Sequence, residues 1–256
     1  KINYQKKLEG ILTSIAERIG QGEPPPTLLL HGCCAPCSSY VLEYLSRYFS
    51  ITELYYNPNI SQKAEYEKRA AELLRLTASM PQIYPVKVEI PPWDPEPFQR
   101  ISKGLEEEPE GGARCRACFA LRLREAAYAA KVGGFDYFCT TLSISPLKDS
   151  QLLNQLGEAI GKEQGVPYLP SDFKKKEGYK RSIELSREYG LYRQDYCGCE
   201  FSRRGGVRPK NPPHKTSAGT VFGKNFPFGN PPLGYWLRVL FLIFVFSAPR
   251  GFVLRF

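Results

Sequence analysis

The chain has no apolar run near the ~20 residues needed to cross a bilayer. Its segment Val239–Phe246 is purely apolar but far too short, although Trp236, Leu237 and Arg238 precede it. No stable membrane association is therefore expected. Lys1 to Gly20 mixes polar and apolar residues and lacks the apolar core of a signal peptide, which makes the cytoplasm the expected compartment. There, clustered cysteines point to metal or redox chemistry more than to structural disulfides. Acid is missing from residues 203–256, where nine Lys and Arg stand unopposed, while residues 1–202 hold 26 of each sign. The net charge of +9 thus belongs to the tail, and the basic pI does not mark the neutral body as a nucleic-acid binder. There is no internal repeat. No Gly-rich phosphate loop follows the first strand-like segment, which argues against a phosphate-loop ATPase. The C-x₃-C-x₂-C spacing of radical-SAM enzymes is also absent.

What the 256 residues do contain is enough for one medium α/β domain with a real core and an appendage. Leu8, Ile11, Leu12, Ile15 and Ile19 recur at helical spacing. Thr27–His31 reads as a buried strand, followed by a helix through Val41, Leu42 and Leu45 that Ser38 or Ser39 is expected to cap. A strand over Ile51–Tyr56 ends in the turn Asn57-Pro58-Asn59. A helix over Gln62–Ser79 and a strand over Tyr84–Val88 follow, then a loop over 91–113 with room for one short helix. Further on come a helix over Cys115–Lys131, a strand over Phe135–Thr140, a helix over Ser150–Lys162, a fifth strand over Pro167–Leu169 and a helix over Gly178–Tyr189. Such alternation predicts an α/β fold with a mostly parallel sheet and helices on both faces. The composition breaks at Ser202. Residues 1–202 are expected to form the catalytic domain, and the basic, Gly/Pro-rich and apolar tail 203–256 to lie outside the functional fold.

Seven of the eight cysteines fall in three tight groups: Cys33-Cys34-Ala35-Pro36-Cys37, Cys115-Arg116-Ala117-Cys118 and Cys197-Gly198-Cys199. The first follows a strand and precedes a helix, where open α/β sheets place ligand loops. A helix N-terminus there favours thiolates and an anionic metal–sulfur group. The C-x-x-C at a helix start presents both sulfurs to one side. A C-x-C pair can close a strained, labile disulfide. Four thiolates suit iron–sulfur or zinc alike, but seven exceed what a closed structural zinc site needs. Cys139 stands alone and reads as a small buried apolar residue. If the chain reverses near the first strand, the loop after the fourth strand, 140–149, lies beside the cysteine loop across the switch-point crevice. Its hydroxyls Thr140, Thr141 and Ser145, with Lys148 and Asp149, are then candidates for substrate binding or proton delivery. The plainer alternative is a turn in which Asp149 or Ser150 caps the next helix.

Five motifs occur in a fixed order: His31-x-Cys33-Cys34-Ala35-Pro36-Cys37, Tyr56-Asn57-Pro58-Asn59-Ile60, Arg114-Cys115-x-x-Cys118, Thr140-Thr141-Leu142-x-x-Ser145-Pro146-x-Lys148-Asp149 and Tyr192-Arg193-Gln194-x-Tyr196-Cys197-Gly198-Cys199. In this the chain resembles the QueH-type epoxyqueuosine reductases from about Leu28 to Ser202. The resemblance implies a Rossmann-like, nucleotide-hydrolase-like sandwich. It also implies cobalamin-independent reduction of epoxyqueuosine to queuosine at the wobble position of tRNA. By resemblance, Cys33, Cys34, Cys115 and Cys118 ligate a [4Fe–4S] cluster, Cys197 and Cys199 form a redox-active pair, and Cys37 is a candidate ligand of a second, mononuclear iron. Lys148, Asp149 or a tyrosine are the candidate catalytic proton donors, among which the sequence does not choose; Thr140, Thr141, Ser145 and Arg193 are the candidate substrate contacts. The implied partners are tRNA carrying epoxyqueuosine and an electron donor of unknown identity. Arg114, Arg116, Arg122 and Arg124, and Lys174, Lys175, Lys176, Lys180 and Arg181, are candidate phosphate contacts. Tyrosines are available to stack on an unpaired base. The rivals are a zinc-stabilised RNA- or protein-binding module without catalysis and a metal-free thiol–disulfide oxidoreductase using Cys197 and Cys199.

Overall fold

In the computed structural model, which describes residues 1–203, four strands form one parallel sheet in the order β3-β2-β1-β4. They are β1 (Thr27–His31), β2 (Ser50–Leu54), β3 (Val86–Glu89) and β4 (Tyr137–Thr140). The helices are α1 (Tyr4–Gly20), α2 (Ala35–Leu45), α3 (Lys63–Ser79), α4 (Glu96–Ser102), α5 (Ala113–Gly133), α6 (Ser150–Gln164), α7 (Gly178–Glu188) and α8 (Glu200–Arg203), with a 3₁₀ turn at Thr141–Ile144. The expected tail, including Val239–Phe246, lies outside the described residues apart from Arg203.

The strands are apolar because both faces of the sheet are covered. Leu28 and Leu30 of β1 pack with Leu8, Leu12 and Ile15 of α1 and Val41, Leu42 and Leu45 of α2. Leu29, pointing the other way, packs with Leu123, Ala126, Ala127 and Ala130 of α5 and Leu153 and Ile160 of α6. This is the expected Rossmann-like arrangement. At roughly 25 cal/mol per Å² of buried apolar surface, these two clusters supply the main drive for folding. No helix among the described residues is long and apolar enough to cross a membrane.

Two expectations are corrected. Pro167–Leu169 is not a fifth strand, because it meets β4 only through the single bridge Phe138–Tyr168. Nor do Ser38 and Ser39 cap α2. That helix starts at Ala35, with extended Cys34 at the cap position and Pro36 in the first turn, where its missing N–H costs nothing. Both serines are buried inside the helix; Ser38 Oγ donates to Glu53, and Ser39 Oγ donates to the Pro36 carbonyl at 3.0 Å.

Candidate metal and redox centre

β1 runs between β2 and β4, so the chain reverses direction at its C-terminal end and a crevice opens there. The first cysteine loop sits at this point. The Gly32 amide donates to the Leu54 carbonyl at 2.9 Å, and the Gly32 carbonyl accepts from Asn57 Nδ2 at 2.9 Å. Behind Gly32 lies the fully buried side chain of Glu53, which leaves no space for a Cβ. The Cys34 thiol makes no capping bond and is left for other use. Sγ atoms of Cys33, Cys34 and Cys37 all lie within 4.8 Å of one another, with Cys33 and Cys34 at 3.8 Å.

The second and third groups meet beside it. Cys115 and Cys118 lie in the first two turns of α5, and with Cys197 and Cys199 they line one small cavity that also touches Asn59 and Phe119. Gly198 has φ 111°, a conformation that costs glycine little and a side-chain-bearing residue much. The asparagine turn joins the loops: Asn57 holds Gly32, while Asn59 Nδ2 donates to the Cys197 carbonyl at 3.3 Å. Ser61 N donates to the Gly198 carbonyl at 3.2 Å, and Arg69 Nη1 to the Cys197 carbonyl at 3.4 Å. Residues 57–59 read as a turn in the sequence; their amide side chains in fact tie two distant cysteine loops together. All eight cysteines are free thiols.

Charge around the thiols is uneven. The thiols of Cys34 and Cys37 donate to Cys33, and Lys148 and Arg122 face it, so Cys33 is held well below the ordinary thiol range. Cys34 is pushed up to about 12, first because it shares its proton with Cys33. Burial pushes Cys118 up to about 12 and also raises Cys115 and Cys199. Such a set, with one thiol held low and its neighbours raised by burial, has the soft donors that iron–sulfur groups and zinc require. Seven thiols around the crevice, beside two cations, fit an anionic metal–sulfur group.

His31 is completely buried. Burial, aided by the Arg122 charge, lowers it to about 3, so its ring is neutral. Nδ1 lies 2.9 Å from Thr140 Oγ1, and Nε2 lies 3.2 Å from Arg122 Nε. Glu53, by contrast, is raised by burial from 4.5 to about 8. Between those values the folded chain keeps a proton that the unfolded chain has lost. Stability contributed here therefore falls as pH rises, by roughly 1 kcal/mol per pH unit. Glu53→Gln mimics the neutral acid and removes that slope. In urea midpoints taken from pH 5 to 8, the variant will gain steadily on the parent; parallel curves would mean that Glu53 is not held neutral.

The loop after β4 lies against the first cysteine loop, as the switch-point argument expects. Cys33 N donates to Thr141 Oγ1 at 3.3 Å, and that hydroxyl lies 3.5 Å from Cys33 Sγ. Thr140 and Thr141 are fully buried, so their hydroxyls brace His31 and Cys33 and do not open onto the crevice. Ser145 Oγ accepts from Leu147 N at 3.3 Å. Asp149 caps α6, accepting from Gln151 N at 2.8 Å and Leu152 N at 3.4 Å. Lys148 is half-buried; burial opposes its charge, but the sulfur groups of Cys197, Cys33 and Cys37 around it favour the ammonium and raise it. Arg193 Nη1 donates to Ser186 Oγ at 2.8 Å and so fastens the third cysteine loop to α7. Cys139 belongs to the core, where its Sγ donates to the Leu169 carbonyl at 3.2 Å. Arg122 and Arg114, candidate phosphate contacts in the sequence, are 1% and 3% exposed and do not reach solvent.

Comparison with known proteins gives a consistent answer. Residues 28–205 match the family model described as epoxyqueuosine reductase QueH. The epoxyqueuosine reductase QueH of Staphylococcus epidermidis is 45% identical over 79% of this chain and 85% of its own length. That of Streptococcus pyogenes serotype M1 is 43% identical over 80% of this chain and 79% of its own. The protein of the same name from Thermotoga maritima is 32% identical over 69% of this chain and 90% of its own length.

Proposed function

The chain belongs to the QueH family of epoxyqueuosine reductases, and from that premise we propose that it reduces epoxyqueuosine to queuosine at the wobble position of tRNA, without cobalamin, at an iron–sulfur centre ligated by its clustered thiols. Residues 1–202 carry this activity, and the cytoplasm, where tRNA is processed, is its compartment. The observation that carries the reading is the meeting of three cysteine loops at one sheet switch point, beside Lys148 and Arg122, which form no ion pair with a carboxylate among the described residues. Cys33, Cys34, Cys115 and Cys118 are the proposed cluster ligands, Cys37 the ligand of a second iron, and Cys197 and Cys199 the redox-active pair. Zinc satisfies the same donors, but a structural zinc site leaves three thiols and both cations without a role.

The reaction breaks two C–O bonds of the epoxide, forms a C=C bond and releases the oxygen as water, consuming two electrons and two protons. The iron–sulfur centre, when bound, supplies electrons singly; the donor that reloads it is a separate partner. The chain's own residues do the rest. Lys148 Nζ stays charged because the cysteine sulfurs around it favour the ammonium, so it hydrogen-bonds the epoxide oxygen and gives up a proton once that oxygen has become a strongly basic alkoxide. The Asp149 carboxylate is held by two backbone amides and plays a lesser part. Thr140, Thr141 and Arg193 act by keeping the cysteine loops in place, and Ser145 shapes the turn before Lys148.

The tRNA backbone is met by a cavity of about 780 Å³ that extends from Lys148 to the start of α1 and is lined by Lys6, Lys174, Lys175 and Lys176. Lys174 and Lys176 pair with Asp172 and Glu9, whereas Lys6 and Lys175 have no ion pair among the described residues. Arg181 is bound up with Glu43, Glu184 and Glu188 and contributes little. The double variant Lys6→Gln/Lys175→Gln is expected to weaken tRNA binding and to make the plot of log affinity against log salt shallower by roughly 1–2. An unchanged slope would remove this cavity from the tRNA path.

The deciding experiment is anaerobic purification of the full chain. It combines iron, sulfide and zinc analysis, the visible spectrum before and after dithionite, and turnover of epoxyqueuosine-tRNA. A brown protein bleached by dithionite that forms queuosine supports the proposal. A colourless protein holding zinc that forms none refutes it.

A further inference from the structure

A guanidinium taken out of water costs several kcal/mol unless an opposite charge stands close by. The buried Arg69 obeys this rule, with Glu65 at 2.7 Å. Arg122, 1% exposed, has no carboxylate partner among the described residues. Its hydrogen-bonding contacts include a neutral imidazole, His31 Nε2 at 3.2 Å, an amide oxygen, Asn57 Oδ1 at 2.5 Å, and the Cys118 sulfur. The buried carboxyl against the same loop, Glu53, bonds to Ser38 instead. What faces Arg122 is sulfur. Cys118 lies one turn earlier on the same face of α5. Asn57 links Arg122 to the carbonyl of Gly32, the residue before Cys33. Burial opposes the guanidinium, but the sulfurs of Cys118, Cys197 and Cys33 stand around it, and the negative charge they share in a metal–sulfur centre favours it.

We propose that Arg122 is a positioning residue whose fixed positive charge balances the thiolates of the metal–sulfur centre and so sets the potential at which that centre accepts an electron. The inference rests on the iron–sulfur reading above. Each electron taken up adds one negative charge, so a buried cation nearby favours the reduced state, and low local polarity strengthens the effect.

The test uses the full chain and its variants R122Q, R122K and N57D, purified without oxygen and matched for iron and sulfide. Midpoint potentials are read by dithionite titration followed in the visible band and by electron paramagnetic resonance. R122Q is expected to shift to lower potential, whereas R122K, which keeps the charge, stays close to the parent. N57D sets a carboxylate against the guanidinium, neutralises it and shifts the potential down as well. Because Arg122 does not reach solvent, KM for tRNA holds while kcat falls. An R122Q centre with full iron content and the parent potential overturns the inference and leaves the proposed function standing. If R122Q does not fold, N57D decides alone: a lowered potential supports the role and an unchanged one refutes it. A parent chain that binds no iron overturns both readings.

Discussion

Replacing Cys33 with Ala is expected to give a folded, colourless protein whose reductase activity falls to background. Cys33 is the thiol around which the first loop is built: Cys34 and Cys37 donate to it, and Lys148 and Arg122 face it. Its backbone is held independently, through Cys33 N to Thr141 Oγ1 and through Gly32 to Leu54 and Asn57, so the loop survives loss of the sulfur. A ligand deletion in a centre that needs four thiolates removes the group itself rather than adjusting it. The two cations are then left facing less negative charge, which adds a modest loss of stability. Iron and sulfide content, the dithionite-sensitive band, circular dichroism and turnover are measured together. An active, colourless variant would refute the iron–sulfur reading outright. Cys139→Ala is the matching control. Its thiol is buried in the α1–α2 core, away from the centre, so the variant loses some stability and keeps colour and turnover.

The second large effect is expected from Gly32→Ala, a change of one methyl group. A Cβ at residue 32 would come within 2.7 Å of Glu53 Cδ and 2.9 Å of Cγ. Glu53 cannot retreat, since it is fully buried and tied to Ser38. Overpacking of this kind costs about 1–3 kcal/mol, a fall in Tm of roughly 2–12 °C for a chain of this size. Activity suffers further, because the loop relieves the clash by moving, and Cys33 and Cys34 move with it. Calorimetry and iron content give the two readouts. The double variant Gly32→Ala/Glu53→Ala makes room for the methyl group and is expected to recover much of the lost iron. A double-mutant cycle without coupling would show that the two side chains do not compete for one space.

Secondary structure and motif order were legible because they are local. Helical spacing of Leu8, Leu12 and Ile15, the apolar run Thr27–His31 and the C-x-x-C at a helix start need only neighbours in the chain. The α/β class followed from alternation, and the meeting of β1 with β4 from the switch point of a doubly wound sheet. Where the reading slipped, a competing local rule had won. Pro36 and an extended Cys34 started α2 ahead of the better capping serines, and Pro167–Leu169 lacked a second pairing to count as a strand.

Tertiary structure alone decided which polar residues are buried and what they are for. Arg122 and Arg114 look like any basic residues near a motif, since sequence records a charge and not its exposure. Asn57 and Asn59 look like turn residues, yet they act across 25 and 138 positions of chain on Gly32 and Cys197. Glu53 sits in an apolar strand segment with no sign that it stands behind Gly32. The division of thiols, with Cys33, Cys34 and Cys37 together and Cys115, Cys118, Cys197 and Cys199 around an adjoining cavity, likewise depends on where three loops end in space. The cysteine spacings mark donors suited to soft metals or to redox chemistry. The packing of α5 and the asparagine turn against β1 determines the charge and rigidity with which it does so, because long-range contacts set burial, and burial sets what a charge costs.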